Sequence, residues 1–233
     1  MLTNNMKIII LAAGIGSRLG KPYPKTLTKL KDGKTILEHQ INSLSKAFSF
    51  EDIHIVVGFK KDLIMEAFPD TGYIYNQYYK KTNTSKSLLK AIKKFRSSSI
   101  LWLNGDVVFE PQIPGHLKKW TDKNISFVAV NKTKCGEEEI KYTLDSDKKY
   151  IKDISKIVKN GLGEALGINF ISSDNINTFI KWLEECDNDD YFEKGIELAI
   201  EKDNMKVIPL DISEFKCVEV DFKEDLINAN KLV

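Results

Sequence analysis

Residues 8–25 of this chain read Ile-Ile-Ile-Leu-Ala-Ala-Gly-Ile-Gly-Ser-Arg-Leu-Gly-Lys-Pro-Tyr-Pro-Lys. The unbroken apolar run from Ile8 to Leu11 predicts a strand buried on both faces. The chain then turns through Ala12, Ala13, Gly14 and Gly16, where side chains are too small to keep an anion away from backbone N–H groups. Cations follow at Arg18 and Lys25. A strand emptying into a small-residue loop with placed cations suits the phosphates of a nucleotide. The loop is neither a Walker A loop nor G-x-G-x-x-G, because its glycines sit at 14, 16 and 20.

The 35 Lys and Arg residues include arginine only at positions 18 and 96. An arginine kept inside the glycine loop of a lysine-rich chain therefore stands out, since its planar fork grips phosphate through two donors. The net charge of +2 is too small to argue for a nucleic-acid partner. Cys135, Cys186 and Cys217 form no C-x-x-C pair, and His39, His54 and His116 lack metal-ligand spacing. That usage predicts a reducing compartment without a disulfide framework or zinc site. No apolar run approaches the ~20 residues of a membrane helix, and the lead is short and polar. A cytoplasmic protein without a membrane partner is the expectation.

Strand-like and helix-like segments alternate through the first half. Strands are predicted at 7–13, 53–58, 73–75 and 100–103, with helices at 35–48, 61–68 and 85–95. This βαβαβαβ order predicts a parallel sheet with helices on both faces. After residue 111 the rhythm changes. Strands are expected at 125–130, 139–144, 149–154, 166–171, 205–209 and 217–220, and helices at 174–185, 191–202 and 223–230. With no linker or repeat, residues 1–233 are read as one domain, about 1–110 a nucleotide half and about 111–233 an acceptor half. Ligands of open parallel sheets bind beyond the carboxyl ends of strands. The 14–25 loop, Asp106 and Asp221 each follow such an end.

Leu11-Ala-Ala-Gly-Ile-Gly-Ser-Arg18, followed by Pro24 and Lys25, resembles the signature of nucleotidyltransferases with a GT-A-like, Rossmann-type sheet. These enzymes join a nucleoside triphosphate (NTP) to a phosphorylated acceptor and release pyrophosphate. The resemblance implies an α/β fold with a mostly parallel, mixed sheet of the nucleotide-diphospho-sugar transferase type. It makes Arg18 and Lys25 catalytic contacts to phosphate, and Leu11, Ala12, Ala13, Gly14, Gly16 and Ser17 the nucleotide-binding loop. Asp106, after Leu101-Trp-Leu-Asn-Gly, and Asp221, in Val218-Glu-Val-Asp, become the aspartates that hold Mg²⁺. Asp221 with Glu224 also reads as a capping-box-like helix start. Asn83-Thr-Ser-Lys-Ser-Leu88 resembles the Asn-x-x-x-Ser-Leu segment of CTP:phosphocholine cytidylyltransferases, which lies near base and ribose. Gln77, Asn83, Ser85 and Ser87 are the candidate readers of a pyrimidine edge, although Asn83 also reads as an N-cap. Glu164, Asn169 and Tyr191 are candidate acceptor contacts. Tyr142, Trp182 and Phe192 could join Tyr191 in an acceptor pocket, or be core.

The implied function is transfer of CMP from MgCTP to a small phosphorylated metabolite. Phosphocholine and phosphoglutamine both fit, the latter used by related enzymes in modifying capsule polysaccharide. A choline head calls for an aromatic cage, whereas a glutamine head calls for a carboxylate clamp and amide partners. The alternative is a sugar-1-phosphate nucleotidyltransferase using UTP, CTP or dTTP. A monomer or homodimer is expected.

Overall fold

The computed structural model describes residues 5–133, 136 and 139–233, so Cys135 lies outside the described residues, as does the side chain of Ser17. Eleven strands and seven α-helices are described. The first half holds β1 (Met6–Ala12), α1 (Ile36–Leu44), β2 (Ile53–Val57), α2 (Lys61–Ala67), β3 (Gly72–Tyr75), α3 (Thr84–Ile92) and β4 (Ser99–Asn104). It continues with β5 (Val107–Phe109), α4 (Ile113–Thr121), β6 (Phe127–Asn131), β7 (Lys141–Leu144), β8 (Ile151–Ser155) and β9 (Glu164–Ile171). Then come α5 (Ile176–Glu185), α6 (Phe192–Asp203), β10 (Ile208–Asp211), β11 (Cys217–Glu219) and α7 (Lys223–Ala229).

The main sheet runs β10-β6-β9-β4-β1-β2-β3, with β7 and β8 attached beside β9. The pairs β4/β1, β1/β2, β2/β3 and β10/β6 are parallel. β9 runs against both β4 and β6, which makes the sheet mixed but mostly parallel. Alternation along β1 sends Ile9 and Leu11 to one face and Ile8 and Ile10 to the other. Helices α3, α5 and α6 cover the first face; α1, α2 and α4 cover the second. Pro209 sits in β10, an edge strand, where a missing donor costs least.

Three elements depart from the expectation, namely β5, α4 and β11. Residues 113–121, for which no element was expected, form α4; Pro114 occupies its first turn, where the missing N–H is not needed. The segment 217–220 does not extend the parallel sheet. β11 instead pairs antiparallel with β5 in a separate two-stranded ribbon, with Glu219 opposite Val107. Asp106 thus follows parallel β4 as expected, but Asp221 follows the antiparallel β11, and the two aspartates flank the ribbon. Tyr142 and Phe192, each 1% exposed, belong to the core, which removes them from an acceptor pocket. Trp182 donates its indole N–H to Asp203.

Candidate active site

The glycine loop is shaped by close backbone approaches. Gly16 has φ +64°, and a Cβ there would lie 2.7 Å from Cβ of Lys25, so its missing side chain lets the loop rest on the lysine stem. Gly58 after β2 faces the carbonyl of Ala13, 2.5 Å from where a Cβ would be, and Phe59 donates its N–H to that carbonyl. Lys60, with φ +44°, donates its ammonium to the carbonyl of Pro22 and ties the loop to the end of β2. No sequence signal marked Lys60, because its role depends on a left-handed backbone conformation.

The ribbon brings the two aspartates together. Val220 donates its N–H to the carbonyl of Asp106 at 3.0 Å, and Gly105 donates to Leu11 at the end of β1 at 2.9 Å. From α1, the buried Gln40 amide donates to the carbonyls of Asn104 and Val107, at 2.8 Å each, and so holds the turn from both sides of Asp106. Lys25 Nζ lies 2.6 Å from Asp106 Oδ2 and 2.5 Å from Asp221 Oδ1. Arg18 Nη1 lies 2.7 Å from Asp221 Oδ2, with its guanidinium 5.9 Å from the Phe222 ring centroid. Burial pulls the Lys25 pKa down, but Asp106 and Asp221 overcome it and hold it above the ordinary lysine value. Burial raises Asp221, and Lys25 with Arg18 more than reverse that, leaving its carboxyl below the usual range. The capping carboxylate of α7 is Asp225, which accepts from the N–H groups of Asp221 and Phe222; Asp221 is thereby left to the cations, and the helix-start reading of Asp221 with Glu224 is corrected.

Oδ1 of Asp106 is buried without a hydrogen-bond partner, an acceptor suited to a cation. The two carboxylates meet one ammonium, so both reach one cationic centre. This donor set of hard oxygens fits Mg²⁺, which takes few protein carboxylates and keeps water and phosphate for the rest. Among the described residues, no group of three or more His, Cys, Asp or Glu forms a ready-made metal cage.

Glu219 feels the charge of both aspartates, and Glu139 that of Asp221. Glu219 is solvent-accessible as a residue, yet protein crowds its carboxyl; that crowding, then the charges of Asp106 and Asp221, push its pKa well up. Glu193, in the first turn of α6, is 7% exposed with Oε2 unpartnered, and burial pushes it up to about 7. Glu193 adds to the field that raises Glu219. Surrounding protein and the charge of Glu164 also raise Glu139, with Lys156 opposing. Glu164 opens the reversed β9, so it lies at the same end of the sheet as the carboxyl ends of β4 and β6; its Oε2 accepts from the N–H of Gly136. Tyr191 is 43% exposed beneath the ammonium of Lys156. Asn169, by contrast, is 1% exposed between Trp102 and Val128 in the sheet, with both amide atoms unpartnered.

The four candidate base readers separate. Gln77 is exposed and accepts from Lys90 at 2.9 Å. Asn83 caps α3 through the N–H of Thr84 and donates to the carbonyl of Asp189. Ser85, 0% exposed, and Ser87, bonded to Asn76, are turned into the interior, which corrects the expectation that all four reach a base. The serines are small enough to let the start of α3 pack against residues 188–192, where Ser85 donates its N–H to Asp190.

Comparison with known proteins follows this geometry. The bifunctional protein GlmU of Buchnera aphidicola subsp. Schizaphis graminum is 38% identical over 110 residues, covering 47% of this chain and 23% of that protein. The CMP-5'-(3-aminopropyl)phosphonate synthase of Streptomyces rubellomurinus is 33% identical over 117 residues, covering 46% of this chain and 18% of that protein. This chain thus spans about a quarter or less of the length of those relatives. Among solved structures, CTP:phosphocholine cytidylyltransferase (LicC) from Streptococcus pneumoniae superposes with a TM-score of 0.77 at 22% identity, over 98% of this chain and 99% of that one. The inositol-1-phosphate CTP transferase of T. maritima gives 0.75 at 17% identity, over 98% and 96%. These likenesses establish the GT-A-like, Rossmann-type fold. The profile of the MobA-like NTP transferase domain matches residues 8–150, well over half of the sequence, and the chain belongs to that family.

Proposed function

We propose that this protein is a CTP-dependent cytidylyltransferase that transfers CMP to a small phosphorylated, amine-bearing acceptor and releases pyrophosphate. The carrying observation is the contact of one lysine, Lys25, with both Asp106 and Asp221, beside Arg18. An oxygen of the acceptor phosphate bonds to the α-phosphorus of CTP, and the bond from that phosphorus to the bridging oxygen breaks. Pyrophosphate leaves with the bonding electrons. The acceptor phosphate is already ionised at neutral pH, so no general base is required. The barrier is electrostatic, since two like unit charges 4 Å apart repel by about 4 kcal/mol at an effective dielectric of 20. Arg18 and Lys25 lower it by meeting phosphate charge, and the loop after β1, residues 13–17, offers backbone N–H groups. Asp106 and Asp221 would hold Mg²⁺, which offsets triphosphate charge when bound.

Gln77 and Asn83 are the readers of the base edge, with Ser85 and Ser87 shaping the helix start behind them. Glu164 and Tyr191 line the acceptor side; Asn169, 1% exposed within the sheet, does not reach it. Phosphocholine and phosphoglutamine are the acceptors of this reading, ahead of a neutral sugar phosphate. The aminopropylphosphonate in the name of the Streptomyces relative accords with an amine-bearing acceptor. The product would serve surface polysaccharide modification, made by residues 1–233 acting as one unit in the cytoplasm, as a monomer or homodimer. The match to GlmU favours a second reading, a sugar-1-phosphate nucleotidyltransferase. Pyrophosphate release across CTP, UTP and dTTP, each with phosphocholine, phosphoglutamine and sugar 1-phosphates, separates the two. Release with CTP and an amine-bearing acceptor is expected; release confined to UTP or dTTP with a sugar 1-phosphate selects the second reading.

A further inference from the structure

The direct contacts of Asp106 and Asp221 pair these two carboxylates with two cations of the same chain. Three of their four carboxylate oxygens touch a cation, two on Lys25 and one on Arg18. The Lys25 side chain is 11% exposed, and Gly16 is pressed against its stem. A divalent cation arriving alone would have to break both lysine contacts and leave a poorly solvated ammonium without a partner, which is costly. A triphosphate arriving with the cation supplies new acceptors for that ammonium, and the carboxylates are released together.

We propose that Lys25 holds the two aspartates in place of a divalent cation in the free protein, so that the site accepts the cation only when a triphosphate draws the lysine away. The proposal rests on the nucleotidyltransferase reading of the site. It makes Lys25 a barrier to premature metal binding, in addition to a phosphate contact. It also makes nucleotide and cation binding mutually favourable, by linkage. Arg18 is a weaker barrier, because its side chain is 55% exposed and touches one oxygen of Asp221.

The test is binding of Mn²⁺ alone to nucleotide-free protein, read by the paramagnetic resonance of free Mn²⁺. Lys25→Met is expected to bind Mn²⁺ at least about tenfold more tightly than the wild-type chain, within the usual span of such couplings. Lys25→Gln, which keeps a polar end, should show the same gain and serves if the methionine variant does not fold. Adding Asp106→Asn to either variant should abolish the gain. Wild-type affinity equal to that of the lysine variants overturns the proposal, as does a gain that survives Asp106→Asn. The readout involves no turnover. A chain that shows the gain yet releases no pyrophosphate with any NTP retains the exchange and loses the functional reading.

Discussion

Glu193 carries a cost that its local sequence does not explain. An acid in the first turn of a helix ordinarily gains from the helix dipole, yet here burial dominates and lifts the carboxyl to about 7. The folded value lies above the ordinary glutamate value of 4.5. The folded chain therefore binds this proton more tightly than the unfolded chain does. The associated stability is complete below about pH 4.5 and is lost as pH rises through about 7. The shift corresponds to about 3 kcal/mol. Glu193→Gln should melt close to wild type at pH 4 and be more stable at pH 8, by up to about 3 kcal/mol. Thermal melts at the two pH values check this, and a difference that ignores pH contradicts it.

At the scale of elements, the glycine loop and the β5/β11 ribbon make the site between them. The loop was legible because its causes are local: an apolar strand, absent side chains and cations within a few residues. Gly16→Ala should separate its two demands. A left-handed L-residue costs roughly 1–2 kcal/mol, and the new methyl would press on Lys25 Cβ. Since displacement of about 1 Å near reacting groups can cost about 10²-fold, kcat should fall by that order while the fold persists. Unchanged kcat would mean that the loop does not set the lysine. The ribbon was not legible, because Val107–Phe109 is three residues long and finds its partner at Cys217–Glu219, far away in sequence. Asp106 and Asp221 were readable as candidates by residue type and context; their meeting through antiparallel pairing was not. Ser85 and Ser87 show the opposite case, in which helical phase turned polar residues inward that motif matching had placed outward.

At the scale of the molecule, the sheet sets which ends meet. The parallel strands β1, β2 and β4 deliver the loop, the Gly58–Lys60 turn and Asp106 to one edge. Reversed β9 starts at that edge, so Glu164 reaches it from the opposite chain direction. The last helix closes the arrangement: Leu226 and Ala229 of α7 pack with Leu19 of the glycine loop, Leu30 and Val220. Asn230, just beyond the helix, accepts from the N–H of Lys31. The C-terminal segment thus fixes Asp221 against the N-terminal loop, and distant parts of the chain contribute opposite charges to one centre. The most direct measurement of that convergence is Mg²⁺-dependent pyrophosphate release from CTP by wild type and by the double variant Asp106→Asn with Asp221→Asn. The account predicts release by wild type in the presence of acceptor and its abolition in the folded double variant; undiminished release by that variant would contradict it.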